Sequence, residues 1–91
     1  MKKVIAFVMQ GCPYCRAAKQ AYDELIKEPQ YTQINVEWID GNEHPERVKG
    51  HDYYYCPSFF VDEEKTYEAH PGDDNEYIRS MVEETLRAAL E

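Results

Sequence analysis

Ninety-one residues, 43% of them hydrophobic and 13% aromatic, suffice for one folded domain and leave no room for a second. Ten Lys and Arg against 18 Asp and Glu give a net charge of −8. That balance argues against nucleic acid and anionic membranes as partners, because both recruit a surplus of Lys and Arg.

Met1-Lys2-Lys3 leads into the apolar run Val4–Met9. Six residues are too few for a secretory core, and no stretch approaches the roughly 20 needed to span a bilayer, so a cytoplasmic protein is expected. Val4 to Val8, unbroken and β-branched, predicts a strand covered on both faces. Gly11 and Pro13 end it. Ala17, Ala18, Ala21, Tyr22, Leu25 and Ile26 then recur at helical spacing, with Pro13 at the first helical position and Pro29 beyond the end. Gln33 to Ile39 alternates and predicts a second strand, parallel to the first because a helix crosses between them. Glu43 to Gly50 suggests a short helix, and His51 to Cys56 an irregular approach to Pro57. Phe59-Phe60-Val61 and Thr66-Tyr67-Glu68-Ala69 form a hairpin about the polar turn Asp62–Lys65. Asp73, with Glu76 three residues on, predicts the cap of a last helix. Its apolar stripe is Tyr77, Ile78, Met81, Val82, Leu86, Ala89 and Leu90. The fold class is α/β, ordered β-α-β-(α)-β-β-α on one four-stranded mixed sheet flanked by helices.

The chemistry concentrates in Cys12-Pro13-Tyr14-Cys15. Cys12 falls at the start of the first helix and Cys15 one turn later. Helical residues three apart have Cα atoms roughly 5 Å apart, within the range of about 4.4–6.8 Å that a disulfide accepts. The helix N-terminus and nearby Arg16 are expected to lower the pKa of Cys12, making it the nucleophile and Cys15 the resolving thiol. Pro13 stiffens the turn, and Tyr14 is expected over the mouth of the site. Three cysteines are an odd number for a disulfide scaffold, and the single Cys56 with His44, His51 and His70 makes a poor zinc knuckle.

Cys-Pro-Tyr-Cys after a strand resembles the motif of dithiol glutaredoxins, in the thioredoxin-fold superfamily. The resemblance spans nearly the whole chain, through Pro57 before the third strand and Gly72-Asp73-Asp74 before the last helix. It implies a cis bond at Cys56-Pro57 beside the active cysteines. It also implies a glutathione site made by Tyr14, Cys56, Pro57, Gly72, Asp73 and Asp74, where the last helix terminus and an Asp receive the γ-glutamyl end. The activity implied is reduction of protein disulfides or of glutathionylated proteins, by a monomer with no bound cofactor or metal and glutathione as co-substrate.

Met9, Tyr55-Cys56-Pro57 and Pro71-Gly72 stand where glutaredoxins usually carry a basic residue, Thr-Val-Pro and two glycines. They keep open a second reading, a redoxin recharged by the flavoenzyme thioredoxin reductase. A third is a binding module using Cys12 and Cys56, in which Cys12 and a partner thiol hold an iron–sulfur cluster between two subunits or the three cysteines hold a metal. Cys56 itself reads either as a third thiol trading disulfides with Cys12 or as a small apolar replacement for valine. Tyr53-Tyr54-Tyr55 beside it reads as a peptide-docking surface or as packing.

Overall fold

The computed structural model describes residues 1–91. The elements are β1 (Val4–Val8), α1 (Pro13–Leu25), β2 (Val36–Asp40), α2 (Pro45–Val48), β3 (Ser58–Val61), β4 (Glu64–Glu68) and α3 (Asn75–Leu90). The strands form one sheet in the order β2-β1-β3-β4, with β1 parallel to β2 and antiparallel to β3, and β4 antiparallel to β3. The expected order and mixed sheet are those observed.

Burial on both faces of β1 explains its unbroken apolar run. Val4 and Ala6 point into the main core beneath α1 and α3, whereas Ile5 and Phe7 join Ile39 and Phe60 on the other face. Ala6 sits in register between Trp38 of β2 and Phe59 of β3, where a small side chain admits two large rings. On the far face Phe7 stacks on Tyr53 and meets the ring of His51, each at 4.9 Å between centroids.

Several boundaries differ from the sequence reading. β2 starts at Val36 rather than Gln33. The backbone of Ile34 is engaged elsewhere, its N–H donating to the Tyr31 carbonyl and its carbonyl accepting the Tyr22 hydroxyl at 2.7 Å. Tyr22→Phe removes that buried bond and is expected to cost about 1–2 kcal/mol. A lower urea midpoint with unchanged slope would show it.

The helix predicted over 43–50 is shorter, Pro45–Val48, because the Asp40 carboxylate takes the N–H groups of Asn42 and Glu43 in a turn before it. The hairpin turns on Asp62 and Glu63 alone, both at positive φ (47° and 74°), so β4 begins at Glu64. Two positive φ values match the right-handed twist of a two-residue hairpin. A bulge between Phe59 and Phe60 then lets Phe59 face Tyr67, and both enter the main core.

Asp74, not Asp73, caps α3, accepting the Tyr77 N–H at 2.8 Å. Asp73 turns back to accept the Tyr67 hydroxyl at 2.7 Å and the His70 N–H at 3.0 Å. The stripe on α3 is also rotated from expectation, with Tyr77 and Leu90 exposed and Thr85 fully buried. Its hydroxyl bonds the Met81 carbonyl and the Thr66 hydroxyl, which makes a polar residue tolerable there. No helix is long and apolar enough to cross a membrane.

Candidate active site

Gly11, at φ +74°, turns the chain from β1 into α1, a conformation that resists a side chain. Cys12 follows with extended backbone and is itself the N-cap of α1, with Pro13 as the first helical residue. Its Sγ accepts the Cys15 N–H at 3.3 Å, so a thiol fills the place usual for Ser or Asp. On the other side the Cys12 thiol donates to the Cys56 carbonyl at 3.5 Å. The Cys56-Pro57 peptide is cis, as the family resemblance implies, and Pro57 is fully buried.

The electrostatics depart from the sequence reading. Partial burial and the neighbouring Cys15 thiol push the Cys12 thiol up, against the N–H groups of Cys15 and Tyr14. Pro13 supplies no N–H to the first turn, and Arg16 is exposed and makes no ion pair. Lys19 pairs instead with Asp23 at 2.8 Å. The lowering expected for Cys12 is therefore absent from the reduced dithiol. Because the raised value favours the thiol at neutral pH, Cys12 is expected to react with iodoacetamide more slowly than an unstructured cysteine peptide. A midpoint of the rate-against-pH curve above the peptide's would show the same thing.

Cys15 is only 7% exposed, and its thiol is pushed far up by its interaction with the Cys56 sulfur and by burial. The same interaction holds the Cys56 thiol below its ordinary value, against the effect of its own burial. The backbone carbonyl of Cys56 meets the Cys12 thiol, and the Cys56 sulfur feels both Cys15 and Cys12. The sequence places Cys56 near Cys12, and the structure has its carbonyl there. No group of three or more His, Cys, Asp or Glu side chains is arranged to hold a metal ion.

Cys12 and Cys15 open on a groove of about 330 Å³ bordered by Met9, Arg16, Lys19 and Trp38. Tyr14 does not cover it. Its hydroxyl reaches across to accept the Gly72 N–H at 2.9 Å. The Gly72-Asp73-Asp74 segment is engaged throughout: Gly72 by Tyr14, Asp73 by Tyr67 and His70, and Asp74 by the cap of α3. The His70 N–H and the Tyr67 hydroxyl hold the Asp73 carboxyl below the usual range, and burial with that carboxylate pushes the Tyr67 hydroxyl well up.

Glu68 was missed by sequence reading. One of its carboxylate oxygens accepts the N–H groups of Tyr54 (2.6 Å) and Tyr55 (2.7 Å), and the other accepts the Lys65 ammonium at 2.7 Å. Burial would raise this carboxyl, but Lys65 and the two N–H groups outweigh it and hold it below the usual range. Ser58 adds a hydroxyl bond to the Tyr55 carbonyl at 2.6 Å. Together they fix the loop that aims the Cys56 carbonyl at Cys12. Tyr54, 89% exposed, and Tyr55 stand on the outer side of that loop.

No family model matches the chain, and no curated protein matches it either. Among solved structures it is similar to mitochondrial thioredoxin 3 of Saccharomyces cerevisiae in its oxidized form (TM-score 0.68, 19% identity, 96% of this chain and 77% of that one). It is also similar to a Malassezia sympodialis thioredoxin (TM-score 0.63, 16% identity, 93% and 75% covered). Oxidized glutaredoxin 2 of Chlamydomonas reinhardtii aligns at TM-score 0.52, with 16% identity and 98% and 79% covered. The fold is thioredoxin-like.

Proposed function

We propose that the chain is a thiol–disulfide oxidoreductase. The observation that carries this reading is the position of Cys12: it caps α1, bonded to the Cys15 N–H on one side and facing the cis-proline loop on the other. Cys12, as thiolate, attacks one sulfur of a substrate disulfide and releases the first substrate thiolate. Cys15, losing its proton, attacks Cys12 Sγ, releases the second sulfur as a thiol and leaves a Cys12–Cys15 disulfide. Two electrons and two protons pass to the substrate. Glutathione, or the flavoenzyme of the second reading, returns them.

The substrates proposed are disulfide-containing or glutathionylated proteins, with glutathione as donor on the strength of Cys-Pro-Tyr-Cys. One observation favours thioredoxin reductase as donor instead: the Gly72 N–H and one carboxylate oxygen of each of Asp73 and Asp74 are already bonded within the chain. NADPH consumption separates the two. One assay couples a glutathionylated peptide to glutathione and glutathione reductase; the other couples insulin disulfides to thioredoxin reductase. Turnover in either supports an oxidoreductase and identifies the donor. Silence in both, with folded and fully reduced protein, overturns the reading.

A further inference from the structure

With 18 acidic residues against 10 basic ones, this chain leaves few cations unclaimed. Three of its arginines pair with carboxylates: Arg47 with Glu37, Arg79 with Glu24 and Arg87 with Glu83. Arg16, the fourth, is exposed and makes no ion pair. It borders the groove of about 330 Å³ on which Cys12 opens, where Val8, Met9 and Trp38 supply apolar surface. The charged side chains lining that groove are Arg16 and Lys19, with no carboxylate among them. Lys19 is already engaged. Its ammonium lies 2.8 Å from the Asp23 carboxylate and 5.7 Å from the centroid of the Trp38 ring. Arg16 is thus the free cation beside the reacting sulfur.

We infer that Arg16 selects disulfide substrates with an acidic residue close to the sulfur that joins Cys12, and that an apolar side chain of the same segment lies against Met9 and Trp38. The inference rests on the proposed reading, because whatever is joined to Cys12 starts at the mouth of this groove. The volume is near the lower end of the range for ligand sites, about 300–1,000 Å³, and suits side chains of a peptide segment. A guanidinium presents a fork of N–H donors that takes a carboxylate through two parallel bonds. The net charge of −8 repels an acidic partner at a distance. At physiological salt, however, exposed charges more than roughly 8 Å away are largely screened, so the cation nearest the sulfur decides. A basic segment, which the whole chain would attract, meets only cations here.

Reduced protein and short peptides whose single cysteine is activated as a 2-pyridyl disulfide test this. Cys12, as thiolate, attacks the peptide sulfur. The peptide–pyridyl S–S bond breaks, and pyridine-2-thione leaves with a proton and is read by its absorbance. The peptides share a leucine next to the cysteine and carry Glu, Gln or Lys two residues from it, on either side. Each rate is divided by the rate of the same peptide with dithiothreitol. At physiological salt the better-placed Glu peptide is expected to react about 2- to 5-fold faster than its Gln counterpart, the size of an exposed ion pair. The Lys peptide is expected to be slower than both. Arg16→Gln should erase the Glu-to-Gln ratio and Arg16→Glu should reverse it. Taking the ratio cancels any change that either variant makes in Cys12 itself. A ratio of one in wild type, a ratio unchanged in Arg16→Gln, or a faster Lys peptide overturns the inference and leaves the oxidoreductase reading intact. Release no faster in wild type than in Cys12→Ser removes the reading and the inference together.

Discussion

Cys12→Ser is expected to abolish turnover with either donor system, a loss on the order of 10³-fold or more, because a serine hydroxyl at this position has no base to activate it. Cys15→Ser is expected to fail differently. The first exchange proceeds, but without added glutathione no thiol at position 15 displaces the substrate from Cys12. A protein–substrate adduct should accumulate on non-reducing gels and vanish with dithiothreitol. Both variants should keep the wild-type melting profile closely, since serine preserves the volume of each site and can cap α1 at position 12. Turnover by Cys12→Ser equal to wild type would mean that another thiol carries the reaction, and Cys56 would be the one to examine.

Glu68→Ala should produce the next largest effect, although residue 68 touches no sulfur. The substitution frees the N–H groups of Tyr54 and Tyr55 and the Lys65 ammonium, so the loop preceding Pro57 loses its anchor to β4. Hydrogen bonds to a charged acceptor at a partly exposed site suggest a stability loss of about 1–2 kcal/mol. Displacement of the Cys56 carbonyl by an ångström suggests a 10- to 100-fold fall in turnover. Glu68→Gln separates geometry from charge, because the amide oxygen can still accept the two N–H groups. It should recover most of the activity and only part of the stability. The acid limb follows the sign of the shift. The carboxyl is held below its ordinary value in the folded chain, so its contribution is complete above the unfolded carboxyl's pKa and is lost as pH falls through the lower, folded one. Wild type should lose this stability in acid, and Glu68→Ala should show a flatter profile there.

The outline of the fold was legible because each element carries its own local signal. β1 is uniformly apolar where a strand is covered on both faces, and Pro13 marks the first residue of α1. The placing of Cys12 and Cys15 one turn apart at the start of α1 was legible for the same reason, since spacing along one helix fixes it. What escaped depends on partners distant in sequence. Ile34 continues the alternation of β2, yet the hydroxyl of Tyr22 takes its carbonyl out of the ladder. Asp73 and Asp74 are equally good caps by composition, and only the contact of Asp73 with Tyr67 decides between them. The electrostatics of Cys12 differ similarly: a helix start predicts a favoured thiolate, but its burial, which with the Cys15 thiol pushes it up, belongs to the tertiary structure. Glu68 gives no signal at all, being one more acidic residue in an acidic chain.

The cap of α1 has a further consequence. In the reduced chain the N–H of Cys15, in the first turn of the helix, is protected by the Cys12 sulfur. Alkylation, a mixed disulfide or closure onto Cys15 each changes what that amide sees, without any change in the rest of α1. The Cys15 amide resonance, and its exchange with deuterium, is therefore a built-in reporter of the chemical state of Cys12, readable by NMR in a chain of this size without a substrate, a dye or a coupled enzyme.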